Sequence, residues 1–125
     1  MYLAIDTSEE PYIIFHHYNC GQWRSETIED RGEGALLRSL TLFLERLKFS
    51  LSDIKGLAVR VGKGKFTSTR IAVTVANTLA FTNKIPVVPY HEFNEAELIK
   101  AWQNATTGIY VSAEYSAEAR IGKKP

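Results

Sequence analysis

Gly62, Lys63, Gly64 and Lys65 stand directly before Phe66 and Thr67, so that backbone N–H groups and two ammonium groups meet at the start of a helix. Such a constellation attracts an anion. It is nonetheless not a Walker loop: that motif needs a glycine five positions before the second glycine and Ser or Thr after the lysine, and Val59 and Phe66 occupy those positions. The residues therefore read as a tight turn motif (Gly62, Gly64, Phe66, Thr67) rather than a phosphate loop. Asp6 and Thr7, at the end of the first apolar run, have side chains that bond nearby backbone donors and suit a turn.

His16 and His17 are neighbours in an extended run, so their rings face opposite ways and cannot chelate one ion together, and His91 is remote. No HxxxH or HExxH pattern exists, and no nucleophile motif orders the Ser, His and Asp residues. These observations assign no metal, no cofactor and no catalytic residue. Trp23 and Trp102 lack the basic aromatic surroundings of a base-stacking platform and are expected to anchor packing. Lys63, Lys65 and Arg70 form a small basic cluster better suited to an acidic protein surface than to base readout.

The 125 residues carry 15 basic and 14 acidic side chains, a formal net charge of +1, so no global field favours nucleic acid or an anionic membrane. With 45% hydrophobic and 23% charged residues the composition is that of one globular domain. A lone cysteine, Cys20, excludes an intramolecular disulfide and agrees with a reducing cytosol. Asp6 interrupts the opening apolar run after five residues, which reads as a strand rather than a signal peptide, and no run approaches the length of a membrane span. A soluble cytoplasmic protein is expected.

The elements that must position these residues follow from periodicity. Tyr2–Ile5, Tyr12–Tyr18 and Trp23–Ile28 read as an antiparallel meander, joined by Asp6–Pro11 and Asn19–Gln22. Leu36, Leu40, Phe43, Leu44 and Leu47, widened by Leu37, predict a helix over Glu33–Lys48. A strand over Ile54–Val61 precedes the glycine turn, a second helix runs over Phe66–Asn83, and Val87-Val88 begin another strand after Pro86. A weaker helix is expected at Glu92–Gln103 and a last strand at Gly108–Ala113. Residues 114–125 show no apolar pattern and are expected to be a disordered tail, leaving 1–113 as the domain.

The second helix is unusually poor in charge: between Phe66 and Asn83 only Arg70 is ionised. On a 100° wheel Ile71, Ala72, Val73, Val75, Ala76, Leu79 and Ala80 fall on one broad arc, expected to face the core. Arg70, Thr74, Asn77 and Thr78 fill the remaining sector, with Phe81 outside the arc, and these five residues are the expected partner interface.

The order βββαβαβ, the run Ala4-Ile5-Asp6-Thr7-Ser8, the block Gly62-x-Gly64-x-Phe66-Thr67-x-x-Arg70-Ile71 and the segment Ile85-Pro86-Val87-Val88 together resemble the amino-terminal domain of the TsaB (YeaZ) family over about Met1 to Phe93. The resemblance implies an α/β fold, a single actin-like (RNase H-like) domain with helices packed on a mixed sheet. It also implies a non-catalytic scaffold of the tRNA threonylcarbamoyladenosine machinery, paired with a TsaD-like catalytic subunit and served by a TsaE-like ATPase, or a homodimer when alone. In related ATPases a carboxylate at the place of Asp6 lies near metal and phosphate, which makes Asp6 and Thr7 a candidate vestigial nucleotide site and an actin-like nucleotide-binding or kinase fragment the alternative function. The chain departs from the family in carrying Lys63, Lys65 and Ser68 for Pro, Ser and Gly of the turn motif, in lacking a histidine at the start of the first helix, and in lacking the second domain.

Overall fold

A computed structural model describes residues 1–112 and shows the order β1 (Tyr2–Glu9), β2 (Tyr12–Asn19), β3 (Gln22–Glu29), α1 (Ala35–Leu47), β4 (Gly56–Arg60), α2 (Phe66–Asn83), β5 (Val87–Tyr90) and α3 (Glu95–Asn104). A short 3₁₀ turn, Leu51–Asp53, joins α1 to β4 and is closed by Ser50 and Asp53, each side chain bonding the other end's backbone. The five strands form one sheet in the order β3-β2-β1-β4-β5. The hairpin partners are antiparallel, while β1 with β4 and β4 with β5 are parallel. This is the expected α/β architecture with strand order βββαβαβ.

Strand alternation divides the core between two sides of the sheet. Leu3, Ile5, Phe15, Leu57 and Val59 meet Leu40 and Phe43 of α1 and Ala72 and Ala76 of α2 on one side. Ala4, Ala58, Val88 and Tyr90 meet Leu98 and Trp102 of α3 on the other. Trp102 also donates its indole N–H to the Leu57 carbonyl at 3.0 Å, and it packs beside Tyr2 and Trp23. Both tryptophans thus serve packing, as expected.

Three expectations need correction. β1 does not end at Ile5: its pairing with β2 continues through Asp6 to Glu9 across a register shift, because ladder bonds use the backbone and tolerate polar side chains. Ile71 does not face the core. The buried residues of α2 are Thr69, Ala72, Val73, Ala76 and Ala80, and Ile71 is 48% exposed. Alanines bring α2 close to the sheet, so the covered face is narrower than the apolar arc of the wheel. Finally, no strand forms over residues 108–112; Val111 is instead fixed by Asn77, whose amide donates to its carbonyl (2.9 Å) and accepts from its N–H (3.0 Å). The expected tail, 114–125, lies outside the described residues.

His16 and His17 point to opposite sides, as the extended run requires. His17 is buried edge-on to Phe43, while His16 stacks on Phe93 and meets Ser25 Oγ through Nδ1 at 2.7 Å. Burial holds both imidazoles below their ordinary value of 6.5. As pH falls through about 6.5 the unfolded chain binds these protons first, so native stability declines there. Melting temperatures are expected to drop between pH 7.5 and 5.5, and His17→Phe is expected to flatten that profile.

Candidate functional site

The parallel strands β1, β4 and β5 end side by side, the position where open α/β sheets receive ligands. Asp6 stands there at the end of the β1–β4 pairing, and both of its oxygens are engaged. Oδ1 accepts the N–H and the hydroxyl of Ser8 at 2.8 and 2.6 Å, and Oδ2 accepts Arg60 Nη1 at 3.0 Å. Only 6% of the Asp6 side chain and 11% of the Arg60 side chain are exposed. Burial alone raises the Asp6 carboxyl, but the bonds from Ser8 and Arg60 outweigh it and hold the group below its ordinary 3.8.

Arg60 has further partners: Nε donates to the His91 carbonyl at 2.7 Å and Nη2 approaches Glu92 at 3.4 Å. The guanidinium therefore ties the end of β1 to the segment after β5. Tyr90 adds a bond from its hydroxyl to the Ile5 carbonyl, 3.2 Å, and its burial pushes the phenol far above the ordinary range. A metal or phosphate at Asp6 would have to displace this arginine. Thr7 is likewise engaged, donating to the Ser68 carbonyl at 3.3 Å. Among the described residues no group of three metal-ligating side chains exists.

Removing the arginine leaves Asp6 buried and charged without its counter-ion. Arg60→Ala is expected to cost about 3 kcal/mol of unfolding free energy, with partial recovery on adding Asp6→Asn. Urea denaturation of the single and double variants checks both parts.

The basic turn is less available than its composition implies. Lys63 pairs with Glu9 at 2.9 Å and Lys65 with Glu10 at 2.8 Å, which couples the glycine turn to the end of the first hairpin. Arg70 lies over the Phe66 ring, 5.9 Å from its centre. Both lysines of the basic cluster thus meet the chain's own carboxylates while staying largely exposed. Gly62 and Gly64 both take positive φ, 83° and 95°.

The other surface with chemical character is helical. Phe66, Thr67, Arg70, Ile71, Thr74, Thr78 and Phe81 recur at three- and four-residue steps along the outward side of α2, and Phe81 is 70% exposed. Asn77, grouped with them by sequence, is half-buried, and its amide is committed to Val111. Beside Ile71 a groove of about 250 Å³ opens between α2, the start of α1 and the first hairpin, walled by Pro11, Tyr12, Leu36, Leu37, Ile71 and Val75. Asp30 and Arg38 brace its rim through two 3.0 Å bonds. Sequence reasoning missed Arg60 and Tyr12, while Leu37 had already shown itself as the residue that widened the α1 stripe.

The His16–Ser25 contact does not form a nucleophile site, since no carboxylate bonds the imidazole among the described residues and Phe93 covers its face. A fold of this order with helices on both sides of a mixed sheet is one actin-like domain of the YeaZ (TsaB) type. The sequence family described as TsaD, tRNA N6-adenosine threonylcarbamoyltransferase, matches residues 33–116, and the chain belongs to that family. Two solved Pseudomonas aeruginosa structures are similar. One is an uncharacterized protein with similarity to peptidase YEAZ, 26% identical, TM-score 0.64, covering 83% of this chain and 49% of that one. The other is YeaZ, 25% identical, TM-score 0.64, covering 83% of this chain and 50% of that one. The chain thus spans about half the length of the structures it matches. No curated protein matches. No helix among the described residues is long and apolar enough to cross a membrane.

Proposed function

We propose that this domain, residues 1–113, acts in tRNA threonylcarbamoyladenosine formation as a non-catalytic scaffold, docking a TsaD-like catalytic subunit through α1 and α2. The observation that carries the reading is the outward face of α2, where Phe66, Ile71 and Phe81 flank Thr74 and Thr78 with Arg70 as the sole charge. Isolated exposed apolar residues are ordinary, but a row continuous with an apolar groove marks an interaction surface. A cytoplasmic setting and a TsaE-like ATPase as a further partner belong to the same proposal. The Asp6–Arg60 pair weighs against the alternative of a nucleotide-binding fragment, because the carboxylate needed for a metal is neutralised within the chain.

The test is co-expression with the TsaD-like subunit of the same cell, followed by purification on a tag carried by this chain and measurement of tRNA adenosine modification with and without it. Co-elution together with a dependence of modification on this chain is the expected result. Failure of the two proteins to associate, or calorimetric binding of ATP to this chain that Asp6→Ala removes, would overturn the scaffold reading.

A further inference from the structure

β3 is the open edge of the sheet, and its sequence is complementary to itself. The hairpin fixes which of its backbone groups are free. Cys20 and Gly21 both have positive φ, 52° and 78°, a two-residue turn that closes on the Asn19–Gln22 pair. Beyond the other end of the ladder, the Asp30 N–H donates to the Pro11 carbonyl at 3.0 Å. Hydrogen-bonded pairs alternate along an antiparallel ladder, so Gln22, Arg24, Glu26 and Ile28 bond toward β2. The N–H and C=O groups of Trp23, Ser25 and Thr27 therefore point away from the sheet, where no strand of the described residues lies beside them.

Side chains alternate in the same way. Ile28 is buried on the α1 side, and Arg24 and Glu26 share that side. Neither residue takes part in an ion pair among the described residues. Charged residues on an edge commonly discourage strand pairing. Here they discriminate between registers instead.

We propose that a second copy of this chain pairs with β3 in antiparallel fashion, with Ser25 opposite Ser25 on the two-fold axis, to give one continuous sheet. In that register the free groups of Trp23 and Thr27 face each other across the seam, so the outward backbone donors and acceptors of both strands are matched. The same register sets Arg24 of one copy opposite Glu26 of the other, twice by symmetry, at the non-hydrogen-bonded positions where side chains approach most closely. Sliding one strand by two residues keeps the backbone matched but brings Arg24 against Arg24 or Glu26 against Glu26. Sliding it by one residue faces the outward groups with groups already bonded to β2. Backbone pairing and charge thus select a single isologous register. The helical face of α2 lies outside this seam, so the inference does not depend on the scaffold reading.

Sedimentation of the full chain over a wide concentration range tests it, with wild type expected to show a reversible monomer–dimer equilibrium. Arg24→Glu and Glu26→Arg are each expected to weaken the dimer about tenfold or more, since each puts like charges opposite one another twice. The double variant restores opposite charges and is expected to return to within about threefold of wild type. Ser25→Pro removes the N–H at the axis while leaving the ladder to β2 intact, a substitution edge strands accept, and should leave only monomer. Hydrogen exchange on the unmodified chain gives an independent reading: the Trp23, Ser25 and Thr27 amides gain protection as concentration rises, whereas those of Arg24 and Glu26 are protected throughout. A strictly monomeric wild type overturns the proposal. So does a dimer insensitive to Arg24→Glu, a double variant without recovery, or a dimer dissolved by Thr74→Glu with Thr78→Glu while amide protection at Ser25 stays unchanged by concentration.

Discussion

Gly64→Val is expected to destabilise the domain by about 4 kcal/mol or more, a large part of the roughly 5–15 kcal/mol that holds a domain together. Two independent effects act at this position. The backbone has φ +95°, which a β-branched residue adopts only under strain. A Cβ there would also lie 2.7 Å from Ser8 Cα, and backbone cannot swing aside as a flexible side chain can. Ser8 is held in turn by Asp6, so relief by moving the hairpin end would disturb the Asp6–Arg60 pair. Denaturant unfolding or the yield of folded protein checks the prediction; Gly21→Ala is the control, because it has positive φ but nothing within 4 Å of its Cβ, and it should cost much less.

How much of this was readable in the sequence depends on how local the cause is. α2 begins at Phe66 and ends at Asn83 as the sequence predicts, because a glycine turn precedes it and Lys84 and Pro86 follow within a few residues. The aromatic packing of Trp23 and Trp102 was legible too, since neither belongs to a basic aromatic platform that would suggest base stacking. Arg60 was not legible. Its partner Asp6 lies 54 positions away, and only parallel pairing of β1 with β4 brings the two together. The partners of the turn lysines were not legible for a similar reason, as Glu9 and Glu10 reach them only after the first hairpin folds toward the turn. The exposure of Ile71 depends on how closely Ala72 and Ala76 approach the sheet, a property of the packed helix that a helical wheel does not contain.

The same geometry makes the helical face testable without damage to the fold. Thr74→Glu combined with Thr78→Glu is expected to weaken docking of the TsaD-like subunit by more than about 100-fold, near 3 kcal/mol, while the melting temperature stays within a few degrees of wild type. Both threonines are exposed, so in the free chain the new carboxylates remain in water at little cost. They sit between Ile71 and Phe81 on the row that the proposed interface covers, and docking would bury two charges with Arg70 as the one cation within α2. Ion pairing with that arginine cannot serve both, and Arg70 already lies over Phe66. Pull-down of the partner beside thermal melts of the free chain separates the outcomes. Retained assembly would place the partner elsewhere on the molecule, whereas loss of assembly with an unchanged melt locates it on the outward side of α2.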